Sequence, residues 1–276
     1  RSVKSFYEEE SQVYGKPTLS ITGTVSEWYE CGKESKTYYT SSDATTNLVT
    51  TATNWYFNRN PSDNRKNYDG DGDGFMDAIM LIYAYPDSAS EGNYNHTNLW
   101  AYTYWLQDYD NSSISSPGPN TFFWASYDFM YQDNRHCKID AHTYIHEFGH
   151  ALGFEDYYDY NTKSGYQAAG YFSMQDYNIG MHDPYSLLQL NWTKTYIPNE
   201  SMTISIKPFS QTREVILLAN HKVSSPYDEY MLLELYTPTG LNTHDVSRGN
   251  SEATLPCLPG IKIYHVDARL AYFENK

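Results

Sequence analysis

HEFGHALGFED, residues 146–156, is the stretch from which this chain is best read. His146 and His150 lie four residues apart, so on a helix they fall about 40° apart on one face and can aim two imidazoles at one metal ion. Glu147 stands between them, placed to take a proton from a metal-bound water. Gly153 offers a helix stop, because glycine takes the left-handed conformation beyond a helix end without steric penalty. The chain can turn there and return Asp156 to the histidines as a third ligand. Two imidazoles and one carboxylate leave a tetrahedral zinc one open position, the layout of a catalytic rather than a structural site. The alternative is an ordinary core helix with two satisfied histidines, but two histidines and a glutamate grouped on one side are a poor choice for a plain core. His142 extends the stripe by a turn; eight residues of helix span about 12 Å, too far for it to share an ion with His150, so it is expected to be a core or supporting residue.

Working outward, the composition limits what the rest can be. The 276 residues suffice for one large domain, or one domain and part of another. A hydrophobic content of 40% with 17% aromatics argues for a folded globular chain and against disorder. The 29 tyrosines suit strands and surfaces that are half apolar and half wet. A net charge of −15 argues against nucleic acid and anionic membrane as partners and suits calcium sites and a secreted enzyme. No apolar run approaches the length of a membrane span. A chain beginning Arg1-Ser2-Val3 lacks an initiator methionine and reads as a cut end. Cys31, Cys137 and Cys257 allow at most one internal disulfide, so this is no disulfide scaffold. N-x-S/T triplets begin at Asn95, Asn111, Asn191 and Asn199 and matter only in a eukaryotic source.

Pattern along the chain predicts a helix over 3–14, a strand over 19–29 and a helix over 43–57. The run AIMLIYAY at 78–85 predicts a strand buried on both faces. Further strands are expected over 99–106 and 122–130, the histidine helix over 139–152, and a packing helix within 182–192. Short strands over 202–206, 215–218, 230–235 and 261–266, separated by Pro, Gly, Asn and Ser, indicate a β-rich segment. The boundary is placed near Ile197-Pro198: a catalytic domain over 1–197 and a β-rich C-terminal segment, open to being truncated, over 198–276.

A second motif, YDGDGDGFMD at 68–77, sets Asp69, Asp71, Asp73 and Asp77 at relative positions 1, 3, 5 and 9, with Gly74 at position 6. That is the first half of a calcium loop. Met80 stands where an EF-hand has its glutamate, and a strand follows, so it is not an EF-hand. The competing reading is an acidic turn whose Asp side chains cap their own backbone. Four clustered carboxylates without a counter-ion repel one another, which favours calcium.

Taken together, the chain resembles the immune inhibitor A-like family of secreted bacterial zinc metalloproteases, relatives of the metzincins. Four segments carry the likeness: SVKSFYEEESQVYGKPTLSITGTVSEWY (2–29), NYDGDGDGFMDAIMLIYA (67–84), HEFGHALGFEDYYDY (146–160) and LPCLPGIKIYHVDARL (255–270). Of these only the zinc motif is individually specific. The resemblance implies an α+β fold: a metzincin-like catalytic domain with a mixed twisted sheet and an active-site helix, followed by the β-rich segment. It also implies a propeptide outside this sequence, secretion, and a methionine-containing turn, for which GYFSMQDYNIG (170–180) supplies Met174. Metzincins often place a tyrosine two residues after that methionine to assist at the metal. Here that position is Asp176, and Tyr177 is one residue further on.

The reaction expected is zinc-dependent endopeptidase hydrolysis of peptide bonds in protein substrates. His146, His150 and Asp156 hold zinc, Glu147 is the general base on a zinc-bound water, and Tyr177 assists the developing oxyanion. An edge strand within 99–130 is expected to pair with extended substrate. A monomer is expected, with protein or peptide substrates as partners and calcium as a second cofactor. Two alternatives stay open: zinc completed by a downstream glutamate, with Glu155 adjacent but pointing elsewhere on the turn, and a non-catalytic, zinc-stabilised module binding glycans or proteins. The presence of Glu147 weighs against the second, since a pure binder has no need of a base there.

Overall fold

The computed structural model describes residues 1–33, 42–85, 100–107, 110, 112–131, 141–160, 168–176, 178–248 and 257–268. The chain is mixed α/β and divides into two compact units, residues 1–3 with 22–153 and residues 4–21 with 154–276. The division falls inside the turn that follows the histidine helix.

The first unit is built on three strands, β1 (Ile79–Tyr83), β2 (Tyr102–Trp105) and β3 (Thr121–Ser126), in the order β1-β3-β2. β1 runs parallel to β3 with Ile79 opposite Phe122, and β2 runs antiparallel with Thr103 opposite Phe123. β3 is central and almost wholly buried because both its faces are covered. On one face Phe122 and Trp124 meet Val49 of helix α2 (Ser42–Arg59), with Ile79, Leu81 and Tyr102 around them. On the other, Ala125 packs with Ala101, Phe129 and Tyr144, the last from helix α3 (His142–Ala151). Alternation along β3 thus divides its side chains between two helices, as a pleated strand requires.

Several expected elements differ. Residues 19–29 form no strand: Val25 is 96% and Trp28 69% exposed, and alternation without a neighbouring ladder does not make a strand. β1 is an edge strand with Met80 exposed rather than one buried on both faces. The aromatic run after β3 closes as a 3₁₀ turn, Tyr127–Tyr131, instead of extending the strand.

In the second unit helix α1 (Val3–Glu10) buries Phe6, Tyr7 and Glu10. The carboxylate of Glu10 accepts the His182 amide at 2.7 Å and faces His182 Nδ1 at 2.8 Å. Arg213, 2% exposed, donates to the carbonyls of Glu9 and Glu10 at the C-terminal end of α1, where the helix dipole favours a cation. Helix α4 (Pro184–Gln189) starts on Asp183, whose Oδ1 accepts the amides of Tyr185 and Ser186, with proline at the first turn. Beyond it, β4 (Lys194–Tyr196), helix α5 (Phe209–Thr212), β5 (Glu214–Leu218), β6 (Glu229–Tyr236), helix α6 (Thr243–Arg248) and β7 (Gly260–Asp267) follow. The sheet order is β4-β5-β6-β7, parallel at its first pair and antiparallel thereafter. No strand forms over 202–206. Among the described residues no helix is long and apolar enough to cross a membrane.

Candidate active site

Helix α3 forms because Tyr144, Ile145 and Phe148 recur on one side and bury against the sheet. Phe148 meets Phe123 of β3 edge-on at 5.9 Å between ring centroids. That packing sets the rotation of the helix and leaves His146 and His150 half-buried beside the apolar face. Their rings stand at 84° with the two Nε2 atoms 3.2 Å apart. Two nitrogens bound to one tetrahedral zinc at about 2.0–2.1 Å would be separated by about 3.3 Å, so the spacing suits a shared ion.

The helix ends at Leu152, and Gly153 follows at φ +98°, a conformation that penalises any residue with a Cβ. The Gly153 amide closes the last turn on the His150 carbonyl at 2.9 Å. Asp156 follows three residues beyond Gly153, so the segment 146–156 offers two imidazoles and one carboxylate as candidate metal ligands. The donors are two imidazole nitrogens and a carboxylate oxygen, which fits zinc. Asp156 Oδ2 accepts the hydroxyls of Tyr158 at 2.9 Å and Tyr160 at 2.5 Å, so outer partners orient the carboxylate. Glu155 is exposed on the same turn.

Glu147 is only 5% exposed, and the Thr103 hydroxyl of β2 lies 2.9 Å from its Oε2 and 2.7 Å from its backbone oxygen. His142 is the first residue of α3, half-buried. Met174 is fully buried in a turn closed by the Asp176 and Asn178 amides on the Ser173 carbonyl. Immediately after Asp156, the Tyr157 amide donates to the carbonyl of Gln175 in that same turn, at 2.8 Å. Asp176, at the place where metzincins have tyrosine, accepts the Tyr171 amide at 2.8 Å and so folds its own loop. Tyr177 lies outside the described residues, as does Cys137; Cys31 and Cys257 are free thiols.

In the acidic loop Asp69, Asp71 and Asp77 bring carboxylate oxygens within 4.8 Å of one another, whereas Asp73 accepts the Phe75 amide at 2.8 Å. Asp69 accepts amides from Gly72, Asp73 and Gly74, and Asp77 accepts that of Gly70. Partial burial, opposed by the Gly70 hydrogen bond and reinforced by the charges of Asp71, Asp69 and Asp73, pushes the Asp77 carboxyl up from its ordinary value. Gly74, at φ +90°, has no room for a Cβ, which would stand 2.8 Å from the Ser113 amide nitrogen.

Sequence reasoning did not find Thr103, because nothing near it in the chain marks it. The tyrosines on Asp156 were visible inside the motif but read only as part of the family likeness.

A helix carrying two half-buried histidines and a buried glutamate is an arrangement suited to a metallopeptidase. Residues 1–178 match the family described as immune inhibitor A peptidase M6, catalytic domain, and the chain belongs to that family. It is also similar to the pre-pro-metalloprotease PrtV from two strains of Vibrio cholerae serotype O1. Each is 26% identical over 228 residues, covering 72% of this chain and 24% of the relative. The chain therefore spans about a quarter of the length of these relatives.

Proposed function

We propose that this chain is a zinc-dependent endopeptidase acting on protein substrates and exported from the cell, as the words pre-pro in the relatives' name suggest for them. The observation that carries the reading is the pair of Nε2 atoms 3.2 Å apart on α3, with Glu147 between the histidines in sequence and Asp156 three residues beyond the glycine that ends the helix. His146, His150 and Asp156 would hold the ion. Zinc held there supplies Lewis acidity, polarising the scissile carbonyl and making water more acidic. Glu147 accepts the proton of the attacking water and returns it to the departing amine nitrogen. Its burial keeps bulk water from competing for that carboxylate. Among the described residues β2 lies at the edge of its sheet and its Thr103 reaches Glu147, so extended substrate is best accommodated along β2. A metzincin-like assignment is supported by the mixed sheet, the helix and the buried Met174 turn. The test is to incubate purified chain with denatured protein with and without a chelator. Cleavage that stops on chelation and returns with zinc is expected; cleavage indifferent to chelation would remove zinc from the mechanism, and a zinc-loaded chain without cleavage would favour the binding-module alternative.

Calcium is proposed for the acidic loop through Asp69, Asp71 and Asp77. Burial raises the Asp77 carboxyl and the charges of Asp71, Asp69 and Asp73 add to it; an ion there would offset those charges. Calcium at a hundred times its dissociation constant should stabilise the fold by about 2.7 kcal/mol. Asp71→Ala is expected to abolish the calcium-dependent rise in thermal midpoint. An equal rise in wild type and variant would leave the loop as a turn stabilised by its own amides.

A further inference from the structure

One side chain that reaches Glu147 comes from the sheet, Thr103 of β2. In β2 the side chains alternate: Tyr102 and Tyr104 meet Phe122 at 6.2 Å between ring centroids on one face. Thr103 falls on the other, opposite Phe123, whose ring contacts Phe148 of α3. Its hydroxyl lies 2.7 Å from the Glu147 carbonyl oxygen and 2.9 Å from Glu147 Oε2. The single proton of this hydroxyl thus lies within reach of both the backbone oxygen and the carboxylate of the same residue. A glutamate side chain has three free torsions and loses rotamer entropy when fixed. A hydroxyl touching both ends of that side chain selects the rotamer in advance.

We infer that Thr103 is a positioning residue for the reaction, holding the Glu147 carboxylate in its proton-accepting orientation before substrate arrives. This rests on Glu147 being the general base. A base must sit within hydrogen-bond reach of the proton it takes, and misplacement by about 1 Å can cost a hundredfold in rate. The hydroxyl also answers a structural need, since a carboxylate at 5% exposure requires partners. The two roles differ in what they move. A merely structural role changes folding and zinc content; positioning changes turnover per folded, zinc-loaded chain.

The experiment compares wild type, Thr103→Val and Thr103→Ser in the full 276-residue chain. Thermal midpoint, zinc per chain, kcat and KM on a peptide substrate, and the affinity of a small hydroxamic acid are measured. Thr103→Val keeps the shape without the hydroxyl, and Thr103→Ala serves if the second methyl is not accommodated. Expected for the valine variant is unchanged zinc content, a kcat lower by between about tenfold and a hundredfold, and KM within about threefold. Serine, which restores the hydroxyl, should recover most of kcat. A valine variant with wild-type kcat per zinc, or a serine variant as slow as valine, overturns the positioning role. The hydroxamic acid separates this from the proposed function, because it binds zinc and shares its proton with the glutamate without needing turnover. Weaker binding to the valine variant supports positioning even if wild type cleaves nothing, whereas equal binding overturns it. Absence of cleavage by wild type counts against the peptidase reading alone.

Discussion

Glu147→Ala should leave zinc bound and the fold intact while lowering turnover by roughly 10²–10⁴-fold, the usual worth of general acid–base catalysis. On the proposed mechanism Glu147 supplies proton transfer and is not one of the proposed ligands, so His146, His150 and Asp156 would remain to hold the ion. The Thr103 hydroxyl keeps an acceptor in the carbonyl of residue 147, so no buried donor is orphaned by the change. Metal content and peptidase rate are measured on one preparation. Wild-type turnover in the variant would remove this mechanism, and loss of zinc along with activity would make Glu147 a structural part of the site.

Asp156→Ala should weaken zinc binding by more than the roughly 10–100-fold typical of losing an outer partner, and nearly eliminate activity. The argument is geometric. A straight helix cannot bring a third ligand from its next turn to the ion with tetrahedral angles, whereas Gly153 at φ +98° releases the chain. Three residues later Asp156 lies with one carboxylate oxygen held by Tyr158 and Tyr160. Glu155 is exposed on that turn, and Glu155→Ala is expected to change neither zinc affinity nor rate. Chelator competition on apo and reloaded protein reads the affinity directly. If Glu155→Ala proves the damaging change, or a glutamate from elsewhere is found on the metal, the assignment of the third ligand falls.

The comparison of α3 and the segment 19–29 shows what one sequence can disclose. The helix carried local chemistry in its own spacing: two histidines one turn apart, an apolar face, and a glycine to end it. Its beginning was expected three residues too early, since the helix starts at His142. Residues 19–29 carried strand alternation too, but a strand exists only with a partner, and among the described residues none pairs there. The same reason explains 202–206, and why β4, three residues long, was missed: it exists through its pairing with β5.

The chemistry of a site can thus be written in a short run of sequence when its groups are neighbours on one helix and its turn, because 3.6 residues per turn is a fixed period. By itself the sequence determined the residue types of the candidate zinc site, the place of Glu147 between its histidines and the stop at Gly153. Tertiary structure alone decided that β2 is an edge, that Asp73 turns to its own backbone while Asp69, Asp71 and Asp77 converge, and that Thr103 reaches Glu147 across 44 positions of chain. Pairing and burial between distant segments depend on where the whole chain packs, and no local period encodes that.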